Sequence, residues 1–361
     1  MKVLTLVSTG LNRPDRDKLI REEEADRHPR SSYYSTMMNS DMLDEKFLLN
    51  APAWRRFLYK FLPTLLSQIF EAYFICHKYD IVVTWAERLG YPFALLLKLT
   101  GRSVPHITLS SWISNPRKSK LLRFSQSHID RILMWSTVQK DLAINKLNVP
   151  PSKIAFIRKF ADQRFYRPMN QETTMICAAG SEMRDYPTLI EALRGLDIRC
   201  HIATGMTRGK LYDTVKALYD INDIPPNVTI GKKNYSELRE LYARSRFVVV
   251  PVLPTDTDNG LTCILESMAM GKAVICSRTE GQVDVVQEGI TGIFVPPQDP
   301  IALREAILSL WNNPELATQM GKAAREYLEK YHTLEQFVDS VKQIASVAIA
   351  EKNKRKNNIQ K

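Results

Sequence analysis

The chain lacks the features that mark a disulfide-stapled, metal-built, repetitive or membrane-spanning protein. Its five cysteines, Cys76, Cys177, Cys200, Cys263 and Cys276, are odd in number and scattered, with no CxxC pair and no histidine cluster beside them. That pattern excludes a disulfide framework and a zinc ribbon, and it fits a reducing cytoplasm. No stretch approaches the roughly 20 apolar residues of a spanning helix. The opening MKVLTLVSTG carries one lysine and a short apolar run, which reads as a first strand rather than a secretory signal. No fixed-period repeat is visible. Neither a helix-turn-helix pattern nor an RNA-binding aromatic motif accompanies the basic charge, so nucleic acid is not expected as a partner.

Acidic residues are scarce in one region only. Residues 51–167 carry 19 Lys and Arg against 6 Asp and Glu, whereas residues 1–50 carry 8 against 9 and residues 168–361 carry 23 against 24. A formal net charge of +11 is therefore concentrated in one stretch. Such asymmetry points to an anionic surface or ligand facing that half. In residues 53–77 (AWRRFLYKFLPTLLSQIFEAYFICH), basic residues interleave with Trp54, Phe57, Tyr59 and Phe61. This pattern suits an interfacial helix on an anionic membrane face, and equally a core-facing helix with basic flanks. Arg117, Lys118, Lys120 and Arg123 add to the basic excess.

A length of 361 residues exceeds what one hydrophobic core usually serves. Apolar strand-like runs alternate with amphipathic segments from end to end, the signature of parallel α/β sheets. In the first half the pattern predicts strands near residues 3–7, 80–84, 104–109, 131–135 and 154–157. Helices are predicted over 53–77, 91–99, 118–127 and 138–147. Residues 10–50 show almost no periodicity and read as a long loop or a loosely packed helix. After a linker at 163–172 (RFYRPMNQET), strands follow near 175–179, 198–203, 228–230, 247–250, 273–276 and 292–295. Helices are expected to begin near Asp185, Arg208, Ser236, Leu261, Gln282, Pro300, Pro314 and Leu334. The expected organisation is two doubly wound, Rossmann-like domains, at 1–165 and 166–335, with a C-terminal helix and charged tail at 336–361.

The most informative segment is PTDTDNGLTCILESMAMGKAVICS, residues 254–277. A strand ends in a polar loop carrying Asp256, Asp258, Asn259 and Gly260. A helix then starts whose apolar stripe is Leu261, Ile264, Leu265 and Met268. Glu266 lies off that stripe, on the flank shared with Thr262. Free amides at a helix N-terminus favour an anion, and Glu266 is placed to accept hydrogen bonds from vicinal ribose hydroxyls. The plain alternative is an Asp258 or Asn259 cap and a solvated Glu266. Upstream, Arg184 stands at a strand-to-helix turn beside the expected cap Asp185, where its fork suits a phosphate.

The spacing Asp258–Glu266 resembles the E-x7-E element of the family 4 glycosyltransferases, with aspartate at the first position. The following GKAVICSRTEGQVDVVQEGITGIFVPPQDPIALREAI resembles that family's downstream pattern, through Gly281, Asp284 and Asp299. The resemblance implies a GT-B fold and retaining transfer from a nucleotide sugar, with Asp258 and Arg184 as catalytic residues. It assigns Glu266, Asn259, Gly260, Leu261, Thr262, Gly180 and Lys232 to the donor. On the acceptor side, where the likeness is weaker, it points to Gly10, Ser110 and Glu87. His106 falls too early in its strand to match the family histidine and reads as a strand residue, and Asp162 reads as the residue that caps the domain junction. Asp256-Thr257-Asp258 spells the D-x-D that elsewhere holds a divalent cation, but the resemblance implies no metal and no other cofactor. The implied acceptor is a lipid-linked or cell-surface glycan precursor, and the implied location is cytoplasmic at the inner membrane face. A sugar-nucleotide epimerase and a catalytically silent nucleotide-sugar-binding protein are the rival readings.

Overall fold

The computed structural model describes residues 1–7, 15–204, 218, 221 and 223–359. The chain divides into two compact units. The first comprises Met1–Leu19, Ser31–Ile157 and Phe337–Lys361, and the second Ile20–Arg30 and Arg158–Gln336. In chain order the elements are β1 (Val3–Leu6), α1 (Arg16–Glu24), α2 (Tyr33–Met37), β2 (Ser40–Leu43), α3 (Ala53–Tyr59), α4 (Thr64–Ile75), β3 (Ile81–Thr84), α5 (Glu87–Leu99), β4 (His106–Leu109), α6 (Pro116–Ser125), β5 (Arg131–Met134), α7 (Thr137–Asn145) and β6 (Ile154–Phe156). They continue with β7 (Met175–Ala179), α8 (Tyr186–Leu193), β8 (Cys200–Ala203), β9 (Val228–Gly231), α9 (Tyr235–Arg244), β10 (Ser245–Val250), α10 (Leu261–Ala269), β11 (Ala273–Ser277), β12 (Gly292–Val295), α11 (Pro300–Trp311), α12 (Pro314–Tyr331) and α13 (Leu334–Ile359).

Each unit is built on a six-stranded parallel sheet, ordered β2-β1-β3-β4-β5-β6 in the first and β12-β11-β10-β7-β8-β9 in the second. Strands such as IVVT and AVICS are buried at every position, as a sheet covered by helices on both faces demands. Two apolar clusters fill the first unit, one around Leu6, Leu43, Ile69, Leu89 and Phe93 and the other around Tyr91, Leu122, Ile132 and Met134. In the second unit, Ile176, Tyr186, Phe247, Ile275 and Ile307 belong to one core cluster. The expected α/β architecture of two doubly wound sheets is what the chain adopts.

Four local expectations need correction. The stretch 10–50 contains an edge strand, β2, in parallel register with β1. Its sequence SDML has no apolar run because one side of an edge strand needs no burial. Ile20–Arg30, assigned from sequence to the first domain, belongs to the second unit. There Asp26 pairs with Arg167 at 2.7 Å and Arg239 at 2.9 Å, and Arg30 grips Asp162 at 2.6 Å. The helix expected over 53–77 breaks at Lys60–Pro63 into α3 and α4, because proline cannot continue the amide ladder. No helix begins at Gln282. The adjacent buried pair Val285–Val286 lacks helical spacing, and the segment is held in turns by Thr291 and Gln287. The helix start expected near Arg208 lies outside the described residues.

Asp162 and His106 are both buried. Asp162 is 4% exposed and accepts from the Arg30 amide, the Arg30 guanidinium and the Arg164 amide. His106 is fully buried in β4 with Thr84 and the His128 carbonyl as partners, and desolvation pushes its pKa down to about 4. It is a neutral strand residue.

Candidate functional site

In the second unit the chain turns from β7 to α8, β8 and β9 on one side of the sheet, and from β10 to β11 and β12 on the other. The crevice of an open parallel sheet lies at the carboxyl ends of the two strands where the order reverses. Here those are β7 and β10, and the segments following them are laced together. Arg184 bridges Val252 in antiparallel fashion, Leu253 N donates to Met183 O at 3.0 Å, and Asp185 N donates to Pro251 O at 3.1 Å. The loop after β10 then enters α10.

That loop is built largely from short polar side chains and one glycine, and a second glycine crosses it. Thr255 and Thr257 share a hydroxyl contact of 2.8 Å, and the Asn259 amide donates to both. Gly260, at φ 98°, holds the left-handed N-cap position of α10, where a Cβ would meet Val250 Cγ1 at 2.8 Å. Gly281 crosses the same loop: its amide donates to Thr255 O at 3.1 Å, and a Cβ there would sit 2.1 Å from Thr257 O. Gln282, 4% exposed, donates from its side chain to the Asn259 carbonyl. The loop is thereby fixed from below. Gly260 N-caps α10 with no side-chain cap; the Leu261 amide donates to Asp258 O at 3.2 Å, and the rest of the first turn has no side-chain acceptor.

Asp258 sits in this loop, half-buried, and its carboxylate has no hydrogen bond or ion pair among the described residues. Glu266, one turn inside α10, is also half-buried. Tyr242 donates to its Oε2 at 3.1 Å, and the fully buried Tyr166 ring lies beside Tyr242 with centroids 6.2 Å apart. Desolvation raises the Glu266 carboxyl to about 7, while the Tyr242 and Tyr166 hydroxyls and the charges of Lys159 and Arg184 oppose that rise. Leu261 is buried in the helix stripe and Thr262 is exposed beside Glu266.

Arg184 is brought to the same helix but not as an exposed fork. It is 4% exposed, and Nε donates to Ala179 O at 2.9 Å, Nη1 to Glu182 O at 2.7 Å and Nη2 to Cys263 Sγ at 3.3 Å. The guanidinium lies against Gly180, where it fills the space a Cβ would take. Arg184 stands at the strand-to-helix turn where the sequence places it, and the missing side chain at Gly180 gives its guanidinium a buried seat rather than an exposed one. No carboxylate lies within ion-pair distance of Arg184 among the described residues, which leaves a buried positive charge uncompensated under the helix N-terminus. Lys232 stands exposed just after β9, with no ion pair among the described residues.

The acceptor-side expectations lie in the first unit. Gly10 falls outside the described residues. Glu87 is 6% exposed at the start of α5, ion-paired with Lys118 at 2.6 Å, and accepts from the Ser111 amide at 3.4 Å. Ser110 is buried and accepts from the Tyr91 hydroxyl at 2.8 Å. Glu87 and the turn holding Ser110 and Ser111 are therefore neighbours.

The residues that sequence reasoning missed are Tyr166, Tyr242, Thr255, Thr257 and Gln282. The tyrosines carry no local signal, since they reach Glu266 only through the tertiary fold. The two threonines and the glutamine are signalled only by their place around Asp258 and Gly281.

Residues 158–327 match the family model described as glycosyl transferases, group 1. An uncharacterized glycosyltransferase of Methanocaldococcus jannaschii is 29% identical over 143 residues, 40% of this chain and 39% of that protein. The O-antigen chain mannosyltransferase C of Escherichia coli is 30% identical over 114 residues, 31% of this chain and 30% of that protein. The aligned part thus spans about two fifths or less of the length of these curated relatives. Among solved structures, Anabaena HepE in complex with UDP-glucose superposes over 97% of this chain and all of that chain, with a TM-score of 0.69 at 15% identity. At that identity the likeness concerns the fold, which is GT-B.

Proposed function

We propose that this chain, whose residues 158–327 form a group 1 glycosyl transferase domain, moves a hexosyl group from a nucleoside-diphosphate sugar to an acceptor hydroxyl with retention of anomeric configuration. One observation carries the reading. A half-buried carboxylate, Glu266, and an uncompensated buried guanidinium, Arg184, flank the first turns of one helix whose leading amides have no side-chain cap. A ribose diol meets the first, and a pyrophosphate meets the second together with the amides.

In the reaction, the bond between the anomeric carbon and the β-phosphate oxygen breaks and a bond to the acceptor oxygen forms. The acceptor proton passes to the departing phosphate oxygen, so no protein base is demanded. Charge that grows on the phosphate is met by fixed donors: the Asn259 and Gly260 amides at the mouth of α10 and the field of Arg184 beneath them. Asp258 holds the donor sugar by its hydroxyls, Lys232 lies on the side of the base, and Thr262 borders Glu266. No metal or other cofactor takes part in this scheme.

The acceptor is a lipid-linked or cell-surface glycan precursor, presented at the cytoplasmic face of an anionic membrane to a first unit that contains Glu87, Ser110 and Gly10. The names of the curated relatives and the basic excess of residues 51–167 support this part. Incubation of the purified protein with radiolabelled UDP-, GDP- and ADP-sugars, with and without a lipid extract, tests the proposal. The expected result is label in a glycolipid only when lipid is present. Conversion of the donor sugar to an epimer without any acceptor would replace this reading with its rival.

A further inference from the structure

The side chains on α3 are sorted in a way that reverses the usual arrangement of a surface helix. Trp54, Phe57, Leu58 and Phe61 follow i, i+3, i+4, i+7, the spacing of a core-facing stripe. Yet they are 55%, 59%, 48% and 73% exposed. The opposite face is polar and turned inward. Arg55 and Tyr59, four residues apart, both bind Glu71, which is 2% exposed, at 3.1 and 2.7 Å. That double contact fixes the rotation of the helix and leaves the apolar stripe outside. Between the two faces stand Arg56 and Lys60, also four residues apart, exposed and without an ion pair among the described residues. Alongside runs an open cavity of about 900 Å³ whose lining includes Leu48, Leu49 and Phe57 together with Arg56 and Lys60.

Deepening the proposed function, on whose membrane-facing acceptor it rests, we infer that α3 and the turn to Phe61 are a keel that inserts into an anionic lipid bilayer, with Arg56 and Lys60 at the level of the phosphates. Large apolar patches on a soluble surface mark interaction sites. Aromatic side chains over an acyl boundary, flanked by cations that reach lipid phosphates, are the chemistry of an interfacial helix. Charge selects this occupant over a second copy of the chain. Residues 51–167, which include the keel, carry 19 basic against 6 acidic residues, so two such faces repel while an anionic leaflet attracts. Arg55 contributes nothing to that attraction because Glu71 neutralises it.

The test is co-sedimentation of the full chain with phosphatidylcholine vesicles, with and without phosphatidylglycerol, compared with Phe57→Ser/Phe61→Ser and Arg56→Glu/Lys60→Glu. The wild type is expected to sediment with the phosphatidylglycerol vesicles, and each pair of substitutions to weaken binding at least about tenfold. Both variants should keep unchanged circular dichroism and thermal midpoints, since all four side chains are exposed. Equal binding by the phenylalanine variant, or no binding by the wild type, overturns the inference. So does a change from dimer to monomer in the variants without any change in vesicle binding. Neither donor nor turnover enters this assay, so a failure here is separable from a failure of the glycosyl-transfer reading.

Discussion

Tyr242 donates a hydrogen bond to Glu266 across 3.1 Å, from helix α9 to helix α10. The tyrosine is fully buried, so its hydroxyl holds one carboxylate oxygen of Glu266 in a fixed orientation. Because the bond favours the ionised carboxylate, its removal raises a pKa that burial has already brought to about 7. A Tyr242→Phe variant is expected to raise the donor KM severalfold at neutral pH with a smaller change in kcat. In the wild type the donor KM should climb as pH falls through about 7, where Glu266 gains its proton; in the variant that climb should begin at higher pH. A donor KM measured from pH 5.5 to 9 checks both statements.

The same carboxyl links stability to pH. Its folded pKa, about 7, lies above the ordinary 4.5, so the native state binds more protons than the unfolded state between those values. The contribution is therefore fully present below pH 4.5 and is lost as pH rises through 7. At about 1.4 kcal/mol per pKa unit, the loss by pH 8 is on the order of 3 kcal/mol. A Glu266→Gln variant, which cannot ionise, should gain stability relative to the wild type between pH 5 and pH 8. Urea unfolding at those two values reads the difference, and a constant gap would contradict it.

Gly281→Ala is expected to disturb the donor loop without touching Asp258 or Glu266. The new methyl would meet the Thr257 backbone at 2.1 Å, which cannot yield as a flexible side chain can. The loop must shift, at a cost of about 1–3 kcal/mol, and donor affinity should fall with it. Calorimetric titration together with a melting curve shows whether both change in the same variant.

Arg184→Lys retains the charge and loses the fork. Its three contacts, to the carbonyls of Ala179 and Glu182 and to Cys263, cannot all be remade by one ammonium. A destabilisation of about 2–4 kcal/mol is expected from the unsatisfied buried groups. Alongside it, a drop in donor affinity steeper for the nucleoside diphosphate than for the nucleoside would report the missing field at the pyrophosphate. Chemical denaturation and binding of the two ligands separate these effects.

The parallel sheets were legible because strands buried on both faces are continuous apolar runs, as in IVVT of β3 and AVICS of β11. SDML of β2 was not, since an edge strand pairs through its backbone and leaves little trace in its side chains. The apolar stripe Leu261, Ile264, Leu265 and Met268 made the helix after the polar loop legible, and α10 begins at Leu261 as expected. The direction of Arg184 was hidden, because it depends on the space above Gly180 rather than on the turn that carries it. Tyr166 and Tyr242 escaped for a similar reason: each looks like an ordinary core aromatic until the fold sets it against Glu266. The outward stripe of α3 shows the same limit in reverse. The interleaved basic and aromatic residues left an interfacial and a core-facing helix open, and only the contacts of Arg55 and Tyr59 with Glu71 decided which way the helix turns.

The most direct measurement is a titration calorimetry series of UDP-, GDP- and ADP-sugars against the wild type and Glu266→Ala, with the thermal midpoint followed in parallel. The account predicts that one nucleotide class binds the wild type and raises its midpoint, and that the alanine variant folds but loses that response. Undiminished binding by Glu266→Ala, or no response of the wild type to any of the three nucleotide sugars, would contradict it.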